Sequence, residues 1–403
     1  GDGATGATDT KILQCRYVGV SGGGDGFRFI GAAGNLINRF WVSEHCQIES
    51  AGRYGVSINE YCQLGWVTDN YITGCGTNEI NITASAAASI DLVKVCGNHL
   101  THTASNGIAV TWSGDATNRI NRSHFCENTI VGGSVVMGGM KRCQVQSNDI
   151  ASGAYAGYTD AVLKITGAVD ECQFQRNIID RQTGMGVGYV VEILDDGTHQ
   201  PQKIQLQNNG LIQEVTAAGL IHTRSATNCQ IGPNVASVTN AGATSVIAIL
   251  IEAIATGASD LMQVVGNIIS AAAGTWQYGI EFFSNGGNII DVLAAGNVIS
   301  NVDTGVRLQG TGAGLGGFTG IVGIMGSTLD GATASWSKSS TTVYPRIGGN
   351  ASTFGANIFS DAGTPAGNVT ARVGSLYLQT DGGAGTTLWV KESGTGTAGW
   401  VGK

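Results

Sequence analysis

The chain has 403 residues, of which 42% are hydrophobic and only 12% charged, and its net charge is −8. That acidic balance, with no dense Lys/Arg cluster, excludes nucleic acid as a partner, because phosphate binding needs concentrated positive charge. No apolar run approaches the roughly 18 residues of a membrane span; the longest, Val246 to Ile251, has the length of one buried strand, so membrane insertion is excluded as well.

Taken in order, the sequence starts at Gly1 and not Met, and so reads as trimmed from something longer. Residues 1–45 read as an N-terminal cap and lead-in segment, with Phe40 and Trp41 beginning the first coil. Ser21 to Gly26 is Gly-rich but lacks the Lys and helix start of a phosphate loop, and reads as a plain loop.

Repetition takes over from Cys46. Cys143-Gln-Val-Gln-Ser-Asn-Asp-Ile150 returns 29 residues later as Cys172-Gln-Phe-Gln-Arg-Asn-Ile-Ile179, each followed by a loop and an alternating strand. An Asn shortly before an aliphatic recurs at Asn70, Asn98, Asn128, Asn148, Asn177, Asn209, Asn234, Asn267 and Asn297, at intervals of 20 to 33 residues by subtraction. Repeats of roughly 20–50 residues, each carrying short apolar strands, predict a β-solenoid. The Asn residues are expected at one bend, hydrogen-bonded coil to coil, since Asn tolerates left-handed backbone. Unequal intervals are unequal loops.

Cys-Gln occurs at Cys46, Cys62, Cys143, Cys172 and Cys229, five of nine cysteines. They read as small apolar rungs of one ladder and not as a disulfide framework. Rungs about 4.8 Å apart leave room for an incidental bridge. No two cysteines have zinc-site spacing, and His99 with His102 lies off a helix, so no metal is expected.

This pattern, from about Cys46 to Gly310, resembles the right-handed parallel β-helix family of pectate-lyase-like proteins and phage tailspikes. Gly1-Asp2-Gly3 through Thr10 is similar to the acidic, Thr-rich opening of tailspikes. Near the other end, Gly374 to Glu392 holds two alternating strands around Asp381-Gly382-Gly383, a hairpin pattern. It is similar to short C-terminal modules of phage tail proteins. The expected organisation is therefore a lead-in at 1–45, a parallel β-helix at 46–322, a loose final coil at 323–356 and a C-terminal β module at 357–403. The resemblance implies an extracellular protein, on a virion tail or secreted, acting on a bacterial polysaccharide. Exposed Tyr377, Trp389 and Trp400 would pack on the helix or on other copies, which suggests a homotrimer.

One strand per coil alternates strictly, so its outward residues can be aligned from sequence. The first outward position gives Ser57, Asn81, Ala109, Val136, Lys164, Glu192, His222, Leu250, Glu281 and Arg307. The next gives Asn59, Thr83, Thr111, Gly138, Thr166, Leu194, Arg224, Glu252, Phe283 and Gln309. Early coils carry neutral residues; from Lys164 to Arg307 the same face carries ionisable ones. A solvated face and a functional groove both fit.

For a groove, Glu252 and Glu281 sit one rung and one outward step apart, roughly 8 Å between Cα atoms. Carboxylates about 6.5–9.5 Å apart suit inverting glycoside hydrolysis, with Glu192, His222 and Arg224 shaping the site. A lyase would instead use Lys164, His222 or Arg224 to remove a proton beside a uronate, with Glu192 holding a divalent cation such as calcium; a hydrolase needs no cofactor. Arg307 adds a substrate-facing charge, and Phe283, Trp276 and Tyr278 are candidates for stacking on sugar, with Trp112 and Tyr189 on earlier coils. A non-catalytic glycan-binding adhesin is the third reading. Asp195-Asp196-Gly197 reads as a turn.

Overall fold

The computed structural model describes residues 9–403 apart from 20–22, 32–36, 38, 86–87, 154–160, 183–187, 215–218, 239–246, 256, 272–275, 311–317, 326–327, 331–333, 339–345 and 348–357. Most of the tailspike-like opening, Gly1 to Thr8 of Gly1 to Thr10, lies outside these residues, as does much of the expected final coil.

Every regular element among the described residues is a β-strand. Each coil gives one short strand to each of three parallel sheets, the second and third of which hold 12 strands apiece. One coil shows the pattern. Gln144–Gln146 lies in the first sheet, Asp149–Ala151 in the second and Leu163–Thr166 in the third. The next coil places Gln173–Gln175, Ile178–Arg181 and Tyr189–Leu194 directly upon them in parallel register. This is the parallel β-helix the repeat predicts. Parallel pairing begins at Thr10 and continues to Ile347, so it reaches past the expected limits of Cys46 and residue 322 at both ends.

Alternation explains why such short strands hold. Val145, Phe174, Leu206, Ile231 and Val264 stack inside the first sheet, and Ile165, Ile193, Ile251, Phe282 and Leu308 inside the third, all fully buried. Each such side chain contributes about 1.5–3 kcal/mol when buried. No coil can bury its apolar face alone, which is why the coils need each other.

Between the first and second sheets runs the Asn column. Asn70, Asn98, Asn128, Asn148, Asn177, Asn209, Asn234, Asn267 and Asn297 are all buried. Each Nδ2 from Asn70 to Asn267 donates to the Oδ1 of the next Asn at 2.9–3.0 Å. Their second N–H bonds a backbone carbonyl, as Asn177 does to Val145. One expectation is corrected: the left-handed residue is the one before the Asn. Asp69, Glu127, Ser147, Arg176 and Asn208 have φ of 55 to 58°, whereas the Asn residues stay out of that region. The turn is made first, and the Asn then braces it.

The cysteines are also corrected, because they occupy three columns and not one. Cys143, Cys172 and Cys229 share the position just before the first-sheet strand, where other coils carry Val93, Ser123, Ile204 and Met262. Cys46 continues the Asn column downward, its N–H donating to Asn70 Oδ1 at 3.2 Å. Cys62 bridges to Ile37 and Gln63 to Asp91, which puts Cys62 in the column of Ile90. All five are buried thiols, and in two of the three columns the other coils carry mostly aliphatics, so packing accounts for them. A disulfide joins Cys96 to Cys126 on adjacent rungs.

The C-terminal segment folds as a small four-stranded sheet. Its hairpin pairs Leu376–Gln379 with Leu388–Lys391, and Trp400–Gly402 closes on the second of these. Ile358–Asp361 runs parallel to the first. Tyr377 and Trp400 are buried here, contrary to the exposure expected of them. They pack with Phe359, Val369 and Ala371, and Trp389 lies half-buried beside them. The module has its own core.

Candidate functional site

The third sheet carries the ionisable stripe, and its register matches the alignment from Val136 onward. Val136 pairs with Lys164, Lys164 with Glu192, Glu192 with His222, His222 with Leu250, Leu250 with Glu281 and Glu281 with Arg307. The next row pairs Leu194 with Arg224, Arg224 with Glu252, Glu252 with Phe283 and Phe283 with Gln309. One coil differs. Thr111, not Ala109, pairs with Asn81 and Val136, because a register shift falls between Ile108 and Val110. Ala109 is fully buried. A bulge adds one residue and moves those after it to the other face.

Within the stripe, His222 joins two carboxylates. Its Nε2 lies 3.0 Å from Glu252 Oε2 and its Nδ1 lies 3.8 Å from Glu192 Oε1. Burial works to lower the His222 pKa, but hydrogen bonding and charge from Glu192 and Glu252 outweigh it and leave it raised. Tyr189 lies against the imidazole at a tilt of 37°, with ring centroids 4.8 Å apart. Gly219 makes room for this ring, since a Cβ there would run into Tyr189. Burial, then the charges of Glu281, Glu192 and Glu252, push the Tyr189 phenol up, so it stays protonated.

The two candidate acids diverge. For Glu252, burial works upward, but hydrogen bonds from His222 and Asn285, with the charges of His222 and Arg224, leave its carboxyl below the ordinary value. Asn285 Nδ2 donates to Glu252 Oε1 at 2.9 Å. Glu281 is only 2% exposed. Burial pushes its carboxyl up, Arg307 opposes this and Glu252 adds to it, with a net rise. Arg307 Nη1 stands 3.4 Å from Glu281 Oε1, and its guanidinium lies over the Tyr278 ring, 4.2 Å from the centroid.

Other predicted residues fall around this centre. Arg224 turns to the sheet edge, bonding Asp195 Oδ1 at 2.7 Å and Asp195 O at 3.0 Å. Lys164 is half-buried one rung from Glu192, and Phe283 half-buried beside Glu252. Trp276 does not present its ring. It is 2% exposed and belongs to the core, as does Trp112, which packs edge-on against Phe125. Tyr278 is covered by Arg307. The turn at Asp195 to Gly197 holds, with Asp196 Oδ1 accepting from the N–H groups of Thr198 and His199. Among the described residues no group of His, Cys, Asp and Glu is placed to hold a metal, and no helix is long and apolar enough to cross a membrane.

Two arrangements escaped the sequence. His102 and Glu79 form a fully buried pair, Nδ1 to Oε2 at 2.7 Å, with Asn106 on the other imidazole nitrogen at 2.8 Å. Burial raises the Glu79 carboxyl although His102 opposes it. His102 follows a strand of the second sheet, where polar residues are ordinary, so its burial has no sequence signal. Trp41 and Trp66 stack at 5.0 Å on adjacent rungs of the first sheet, with Lys11 over Trp41. The Trp column was legible only with the first coil in hand, and that coil begins before the repeat is recognisable.

No family model matches the chain, and no curated protein matches it. Among solved structures it is similar to PfbA, a surface adhesin of Streptococcus pneumoniae, at 11% identity, covering 78% of this chain and 89% of that one, with a TM-score of 0.50. It is also similar to the A-module of the mannuronan C-5 epimerase AlgE6 of Azotobacter vinelandii, at 10% identity, covering 82% and 91%, with a TM-score of 0.32. The likeness to the adhesin is one of fold.

Proposed function

We propose that this protein hydrolyses a bacterial surface polysaccharide, with Glu281 as general acid and Glu252 as the base that activates water. One observation carries this reading: two carboxyls on neighbouring rungs are pushed in opposite directions, Glu281 up and Glu252 down. Environments that split two carboxyl pKa values are how a site obtains an acid and a base at one pH. His222 and Asn285 would hold Glu252 ionised, and Glu192 would hold His222. Lys164, Arg224, Arg307 and Phe283 would line the path of the sugar chain. Such an enzyme works outside the cell, on a phage tail or secreted, as a homotrimer.

A lyase reading is weakened by the same geometry. His222, with a raised pKa between two carboxylates, is a poor proton acceptor, and Arg224 is committed to Asp195. Binding without cleavage is the stronger rival. Glu281 is nearly closed off beneath Arg307, and a recognition face needs no exposed acid. The structural neighbour PfbA is itself an adhesin.

Incubation with a panel of capsular and acidic polysaccharides decides between them. New reducing ends without the ultraviolet absorbance of an unsaturated uronate support the hydrolase. Both signals together mean a lyase, with Lys164 as the base to test. Neither signal on a glycan that binds makes the stripe a recognition face.

A further inference from the structure

Below Asn70 the Asn column continues through two cysteines, Cys46 and then Cys15. One residue after each, Arg16, Gln47 and Tyr71 pair rung on rung. The hydrogen bonds of the cysteines copy those of the Asn residues. Asn70 N–H donates to Asn98 Oδ1 on the next coil at 3.1 Å, Cys46 N–H to Asn70 Oδ1 at 3.2 Å, and Cys15 N–H to Cys46 Sγ at 3.4 Å. Asn70 Nδ2 donates to Val42 O on the coil before, and Cys46 Sγ lies 3.5 Å from Ile12 O, the register partner of Val42. Asn98 Nδ2 reaches the carbonyl two residues back at 3.2 Å, as Cys15 Sγ reaches Leu13 O. The two sulfurs therefore stand where the amides stand, on successive rungs of one column.

What the column loses there is strength. An amide donates and accepts along the stack, whereas a thiol is weak in both roles. A covalent link fits the same place. Parallel rungs lie about 4.8 Å apart, within the roughly 4.4–6.8 Å between Cα atoms that a disulfide spans. Cys96 and Cys126 already bridge two neighbouring rungs of this chain, with Cα atoms 4.5 Å apart and a sequence separation of 30, against 31 for Cys15 and Cys46. The two thiols differ in access: Cys15 is exposed and Cys46 is fully buried. Burial also raises the Cys46 thiol, which keeps it protonated. A reagent in solution meets Cys15 first.

We propose that Cys15 is an oxidation site, where a small disulfide from the surroundings joins it to Cys46 and locks the coil of Cys15 onto the coil of Cys46. The Cys15 thiolate attacks one sulfur of the small disulfide, whose S–S bond breaks and releases one thiolate. Cys46 then gives its proton to water and attacks the Cys15 sulfur, and the second half leaves as a thiolate. Two protein thiols lose two electrons and two protons, and one small disulfide takes up both and becomes two thiols. Nothing in this step depends on the glycan reading.

The test is incubation of the full chain with glutathione disulfide, then alkylation of the remaining thiols in denaturant, digestion and mass spectrometry. The expected product is a peptide pair joined through Cys15 and Cys46, two hydrogens lighter than the separate peptides. Cys15→Ser should leave Cys46 alkylated and free of glutathione, because the buried thiol has no other entry. Cys46→Ser should stop at a glutathione adduct on Cys15. Tryptic cleavage of native protein after Lys11 and Arg16, both exposed, should slow about tenfold or more once wild type is oxidised, and should not respond to oxidation in Cys15→Ser. A lasting glutathione adduct on Cys15 of wild type, a Cys15 bridge between two copies, or a Cys15 that stays open to alkylation would overturn the proposal. So would a tryptic rate that is unchanged after the bridge has formed.

Discussion

His222 and Glu252 meet across one rung, Nε2 to Oε2 at 3.0 Å, and each shifts the other toward its charged form. The pair couples two groups of opposite charge on the outward face. Its signs fix when it stabilises the fold.

His222 has a raised folded pKa, so its contribution is complete below the ordinary value of 6.5 and is lost as pH rises through the folded value. Glu252 has a lowered one, so its contribution is complete above 4.5 and is lost as pH falls through its folded value. Both are present between 4.5 and 6.5. We expect the melting temperature of wild type minus that of His222→Asn to peak in this window and to shrink on both sides. A difference that is flat with pH would remove the coupling.

Glu281→Gln and Glu252→Gln should each lower reducing-end release by about 10²–10⁴, the usual weight of a general acid or base. Their circular dichroism should match wild type. Because burial raises the Glu281 pKa, its charged form opposes folding, and stability from this residue is lost as pH rises through the folded value. The Gln variant should therefore lose less stability than wild type as pH rises from 4.5 through the folded value of Glu281.

Asn177 accepts from Asn148 at 2.9 Å and donates to both Asn209 and Val145 at 3.0 Å, without any exposure. Replacing it with Leu strands several buried groups, each worth about 1–3 kcal/mol when unsatisfied. Urea unfolding should show a loss at the upper end of this range or beyond it. A loss under ~0.5 kcal/mol would mean that the column is not what braces the bends.

Glu127 holds φ 56° with its side chain exposed. Left-handed backbone costs an L-residue about 1–2 kcal/mol, partly offset by the greater freedom Gly loses on folding. Glu127→Gly should match or exceed wild type in melting temperature, while the β-branched Glu127→Val should fall below both.

On the second sheet Ile178, Val235, Ile268 and Val298 stand half-exposed, with Gly210 between the first two in one register column. Such a row of apolar residues suits contact between copies. Val235→Lys with Ile268→Lys should shift the mass by light scattering from trimer to monomer at unchanged secondary structure. A wild type that is monomeric at high concentration would exclude the trimer.

The fold was legible because its main device repeats. Asn at one position and aliphatics at two-residue spacing mark the coils from Asn70 to Asn297, and the register from Val136 to Arg307 follows from alternation alone. A bulge is one unmarked extra residue, so Ala109 was taken for Thr111. Cys-Gln before an aliphatic precedes strands of different sheets, so Cys46 could not be told from Cys172. Trp276 looked like a sugar platform because it opens a strand beside the stripe, yet its ring turns inward. Sequence brought Glu252 near Glu281 but could not show that Arg307 covers one and His222 holds the other. Those are side-chain choices between neighbouring coils.

Every amide in the Asn column points the same way, with its oxygen toward the earlier coil and a donor toward the next. Dipoles aligned head to tail add, as peptide dipoles do in a helix, and each polarises its neighbour. The solenoid therefore has an electrical direction along its axis, negative toward its first coil and positive toward its last. A coil stacked in reverse would set oxygen against oxygen, so the column admits new coils in one sense, the sense in which the chain is synthesised.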